Sequence, residues 1–112
     1  MRLCALFALI FALASGGPLA AEPSGAAVRL YVAGQYLAAA DVADDQDAPD
    51  DLAFAARALL AACIAGGDRR QTGRLLDRAE RLARDALSLD PGAIDARLQL
   101  ALVYGMRGRR AS

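Results

Sequence analysis

The chain has 112 residues, enough for one small domain, with 13 basic and 13 acidic residues that cancel. That balance argues against nucleic-acid binding by bulk charge. The absence of histidine removes the imidazole base and the imidazole metal ligand together. Alanine and leucine dominate and β-branched residues are few, which favours helix over strand.

The chain opens with Arg2 and an apolar run from Leu3 to Ala14, broken by Ser15-Gly16-Gly17-Pro18 and closed by Ala20-Ala21. A positive start, a short apolar run and a small-residue end form a secretory signal peptide, with cleavage expected after Ala21. The run is short for a spanning helix, which needs about 20 residues. The expected location is therefore periplasmic or secreted, and membrane attachment arises only if residues 1–21 are retained. Processing removes Cys4 and leaves Cys63 alone, so no internal disulfide can form. Cys63 is expected on an apolar helical face as a small core residue, since no histidine exists to activate it.

Residues 22–112 read as one helical domain. Ser24 is expected to cap a first helix ending near Ala33. Gly34-Gln35-Tyr36 then breaks the chain before a second helix from Leu37 to about Asp44. A loop through Pro49 follows, and Asp50 or Asp51 is expected to cap a third helix over Leu52 to Ala65. Leu52, Ala55, Ala56, Leu59, Leu60, Cys63 and Ile64 give that helix a broad apolar stripe. Gly66-Gly67-Asp68 ends it. The fourth helix starts at Arg69 or Thr72 and runs to Ser88, with Asp77–Arg81 and Glu80–Arg84 spaced for pairs along its own surface. Asp90-Pro91-Gly92 separates it from a fifth helix, expected from Ala93 to Arg107 and closed by Gly108. Leu98, Ala101, Leu102 and Gly105 share one side of that helix.

Charge is unevenly placed. Residues 41–51 hold six aspartates and no base, and residues 69–84 hold six arginines and two acids. The aspartates lack the alternating spacing and closing glutamate of a calcium loop. Without histidine there is no imidazole ligand, and one cysteine after processing excludes cysteine-rich zinc sites. No glycine-rich phosphate loop is present. No cofactor, metal or catalytic residue is expected, and the chain is not read as an enzyme.

Glycine breaks recur at Gly34, Gly67 and Gly108. Arg97, Leu100, Ala101, Tyr104 and Gly108 follow the first-helix spacing of the tetratricopeptide repeat. Ala79, Ala83, Ala86 and Pro91 follow its second-helix spacing. Gly34, Tyr36 and Ala39 fit an earlier unit, and Ala56, Leu59, Leu60, Cys63 and Gly67 a middle one. On these residues the chain resembles the tetratricopeptide repeat family, whose unit is about 34 residues in two antiparallel helices. It departs from the pattern at Arg97, where a bulky aromatic is usual, and at Ala83, where a large residue is usual. The stretch from Gly67 to Pro91 also exceeds the family spacing by about two helical turns.

The resemblance implies an all-α fold of antiparallel helical hairpins stacked as a superhelix, with five helices after the signal peptide. It further implies a non-catalytic module that takes a protein or peptide partner in a groove lined by first helices, at Arg57, Asp95, Gln99 and Arg107. The fifth helix has no following partner helix in the sequence, so Leu98, Leu102 and Tyr104 should lack cover. This suggests either a piece of a longer repeat protein or self-association through the last helix.

Overall fold

Glycine, proline and one aspartate set the helix boundaries within residues 22–112, which are the residues described by the computed structural model. The expected signal segment lies outside them. Five helices follow in order: α1 Gly25–Val32, α2 Tyr36–Asp45, α3 Pro49–Ala65, α4 Arg69–Leu89 and α5 Ile94–Ala111. The described residues contain no strand. None of their helices is long and apolar enough to cross a membrane.

The start of α3 differs from the capping expected at Asp50 or Asp51. Pro49 takes the first helical turn, where a missing N–H costs nothing, and Ala48 before it is extended at φ −105° and ψ 150°. Asp50 and Asp51 therefore fall inside the first turn, where negative charge is favourable. Asp51 is buried and turns back to α1, its Oδ1 accepting the Ser24 backbone N–H at 2.7 Å. Ser24 occupies the cap position of α1 but makes no side-chain cap of its own. The Asp51 carboxylate thus ties the entry of the first helix to the start of the third.

Gly34 turns the chain between α1 and α2 at φ +81°, and Gly66 closes α3 at φ +118°, both conformations that glycine adopts readily. Asp68 fixes the start of α4, its Oδ1 accepting the Gln71 N–H at 2.6 Å, and this decides for Arg69 over Thr72. The surplus residues before Pro91 are accommodated as helix, since α4 has 21 residues. At the other end, Gly108 does not terminate α5. An interior glycine costs only about 1 kcal/mol, and contacts beyond it hold the last turn. Arg110 Nη2 donates to the Arg69 carbonyl at 2.9 Å, and Arg69 Nη2 donates to the Arg110 carbonyl at 3.4 Å.

Each helix packs on the next, and α3 also packs on α5, which places α3 at the centre. The short connections between packed neighbours make successive helices antiparallel. Among the described residues, thirteen of the twenty buried apolar ones are alanine, including Ala39, Ala40, Ala43, Ala79, Ala83 and Ala86. Small side chains allow the backbones to approach closely, and the few large ones, Leu52, Phe54, Leu59, Leu60, Leu76, Leu82 and Val103, fill what remains. Tyr31 packs against both Tyr36 and Phe54 with ring centroids 5.3 Å apart, joining α1, α2 and α3.

The uneven charges noted in sequence meet across the fold. Arg78 of α4 donates to Asp41 at 2.9 Å and to Asp44 at 3.1 Å on α2. Glu80–Arg84 forms at 2.8 Å as spaced, but Asp77–Arg81 does not, because Arg107 of α5 takes the Asp77 carboxylate. Two expected apolar positions also differ. Ile64 is 77% exposed, because the stripe of α3 is wider than its neighbours cover, and Cys63 is only partly buried.

Candidate functional site

The uncovered edge of α3 faces the uncovered edge of α5. Tyr31, Leu60, Ala61, Ile64, Leu98 and Leu102 line an open groove of about 330 Å³, with Arg57 and Gln99 at its polar side. Helical spacing brings these residues together. Arg57, Leu60, Ala61 and Ile64 recur at three and four residues on α3, and Asp95, Gln99 and Leu102 do so on α5. Leu98 is 51% exposed and Leu102 46% exposed, as expected for residues without cover.

Three of the four residues expected to meet a partner come together here. Arg57 Nη2 donates to Asp95 Oδ1 at 2.7 Å, and Gln99 Nε2 donates to the same oxygen at 3.1 Å. The pair is neutral overall and both members remain partly exposed. Two of the expectations need correction. Gln99 is not an exposed position; it is 2% exposed, because it lies where α5 packs on α3. Its amide orients Asp95 from behind. Arg107 is not part of the groove. It lies about 120° around α5 from Asp95, and its guanidinium is occupied by Asp77 and Glu80 of α4.

Comparisons with protein-family models, with curated proteins and with solved structures return no match.

The groove offers shape, apolar surface and one hydrogen-bonded ion pair. Among the described residues no group of three or more His, Cys, Asp or Glu side chains is arranged to hold a metal ion. The Cys63 thiol is raised above its ordinary value, chiefly by burial, so it stays protonated at neutral pH and is a poor nucleophile. Its Sγ lies 4.0 Å from the Thr72 carbonyl. At the other side of the molecule, Asp50 is also raised, first by desolvation and then by Asp51, Asp90 and Asp95. These four acids gather around the start of α5.

The α4–α5 junction has a pH signature. Hydrogen bonds from Arg107 and then Arg84 hold the Glu80 carboxyl below its ordinary 4.5. A depressed carboxylate stabilises the fold fully above its unfolded value and loses that contribution as pH falls through the folded one. Thermal melts of the native chain and Glu80→Gln should therefore differ most near neutrality, and the gap should close as pH drops below 4.5. A gap independent of pH would show that the carboxylate charge contributes nothing.

Sequence reading missed Tyr31, Leu60, Ile64, Leu98 and Leu102 as groove residues. The available signal was the width of the apolar stripe on α3. Eight of the nine positions from Leu52 to Leu60 are buried, so residues further round the helix had to border solvent or another chain.

Proposed function

We propose that this chain is an exported, non-catalytic helical-repeat module of the tetratricopeptide type, which takes a peptide or helix of a partner protein in the groove between α3 and α5. The observation that carries the reading is the groove itself. Several apolar side chains stand exposed around one neutral Arg57–Asp95 pair, an arrangement suited to an amphipathic segment. The succession of antiparallel helices, with α3 against α5, supports a stacked repeat in which first helices line the concave side. Export rests on the composition of residues 1–21.

The test is capture of a partner from an envelope extract by the chain and by its Arg57→Ala, Gln99→Ala and Ile64→Ser variants. Arg57→Ala leaves Asp95 without its ion partner, and Ile64→Ser removes the most exposed apolar group of the groove. Either should lower retention of a genuine partner about tenfold, equivalent to about 1.4 kcal/mol. Retention unchanged in all three variants would remove the groove from consideration.

A further inference from the structure

The exposed side of α5 carries a second pattern, which borders the groove at Leu98 and runs on beyond it. Ile94, Leu98, Ala101, Gly105, Gly108 and Ser112 recur at alternating spacings of four and three residues. That is the four-and-three spacing of a coiled-coil seam, carried here by three apolar residues, Ile94, Leu98 and Ala101, followed by small ones. Its members are all exposed, and Ile94 is 82% exposed. A Cβ built at Gly105 or Gly108 meets nothing within 4 Å, so the surface along that line is open.

The seam is tapered. Its large residues, Ile94 and Leu98, lie near the start of the helix, and its small ones, Ala101, Gly105 and Gly108, lie towards the end. A second α5 running in the same direction would set leucine on leucine at one end but glycine on glycine at the other, leaving the far half of the seam without side chains to fill it. Running in the opposite direction, it sets Leu98 over Gly108, Ala101 over Gly105 and Ile94 over Ser112, so each bulky side chain fills the space above a small one.

Charge selects the same direction. The residues flanking the seam on the groove side are Asp95, Leu102 and Arg109. In the antiparallel register, Asp95 of each copy faces Arg109 of the other, and the two Leu102 side chains meet near the two-fold axis. On the opposite flank Tyr104 faces Tyr104, and Arg97 faces the small Ala111. The wider distribution agrees. At the start of α5, where Arg57 already neutralises Asp95, Asp50, Asp51 and Asp90 outnumber Arg97, and at its end, where Asp77 and Glu80 already neutralise Arg107, Arg69, Arg109 and Arg110 gather. Antiparallel association lays the acidic end of each copy on the basic end of the other. Parallel association stacks like on like.

We propose that the chain forms an antiparallel homodimer through the exposed seam of α5, with a second copy of itself as the occupant. The seam shares Leu98 with the groove, whereas Ala101, Gly105 and Gly108 belong to the seam alone and Tyr31 and Ile64 to the groove alone. The two proposals therefore fail separately.

Sedimentation velocity over a concentration series is expected to show a dimer that dissociates on dilution. Gly105→Glu places a charge on the seam where the monomer has open space, and it replaces glycine with a better helix former. It should abolish the dimer while leaving the melting temperature of the monomer unchanged or higher. Direction is read by disulfide trapping with Cys4 and Cys63 replaced by serine. Leu98→Cys mixed with Gly108→Cys should give a cross-linked heterodimer, and neither variant should cross-link to itself. A monomer at every concentration, a dimer that survives Gly105→Glu, or cross-linking of Leu98→Cys to itself would each overturn the proposal.

Discussion

Leu59→Ala is expected to be among the most damaging single truncations in this fold. Leu59 has no exposed surface and lies on α3, the helix packed against α2, α4 and α5. Removing a buried leucine costs about 2–5 kcal/mol, and the value within that range depends on how far the surroundings collapse into the space. Here collapse is restricted. Ala55, Ala56 and Ala58 on the same helix are already buried and cannot extend into a void. The loss should lie in the upper half of that range, against a total of about 5–15 kcal/mol for a domain. For a domain of this size, that corresponds to a fall in melting temperature of about 15–30 °C. Circular dichroism melts and urea titrations measure it, with Ile64→Ala as the control. Ile64 is exposed, so its truncation should change stability by less than about 0.5 kcal/mol. A loss below about 1 kcal/mol for Leu59→Ala would mean that α3 is not the centre of the core.

The contrast between Leu59 and Ile64 shows how much of the fold is legible in the sequence. Periodicity places both on one stripe of α3, and the helix is there. Periodicity cannot tell which edge of a broad stripe a neighbour covers, because coverage depends on the separation of helices distant in sequence. The same limit applies on α5. Spacing groups Leu98 with Leu102, yet it is Ala96, Gln99 and Val103 on the adjacent side that are buried. Glycine was a reliable signal where φ is positive, at Gly34 and Gly66, and a misleading one at Gly108, where cross-helix contacts between Arg110 and Arg69 outweigh a weak local preference. Capping was expected at Asp50 or Asp51 and is found at Asp68 instead, because Asp51 bonds to Ser24, 27 residues away, a partner that no local pattern reveals.

The candidate site was legible to a similar degree. Arg57, Asp95 and Gln99 converge because their helices pack, and no local rule anticipates that Gln99 is buried beneath the pair. Arg107 was expected in the groove on the same resemblance and lies elsewhere. A helix has several faces within reach of a groove, and only the ion pairs with Asp77 and Glu80 decide which one Arg107 occupies.

Ala83→Phe is expected to destabilise the chain, although the tetratricopeptide pattern usually has a large residue at this position. Ala83 has no exposed surface, and Ala79 and Ala86, one turn away on either side, are equally buried. Three small residues on one face of α4 let the neighbouring backbones approach closely, and that approach has removed the space a phenyl ring needs. Overpacking a well-filled core costs about 1–3 kcal/mol and occasionally more. A whole ring added at a fully buried alanine should reach at least the top of that range. Had the helices kept the wider separation that a large side chain requires, Ala83 would border a void, and the same substitution would fill it and raise stability. Thermal and urea unfolding of Ala83→Phe therefore distinguish two ways of building a helical hairpin. A fall of about 3 kcal/mol means that this chain closes the gap by moving its helices together. A gain means that α4 stands off its neighbours and that the close packing inferred at its alanines is absent.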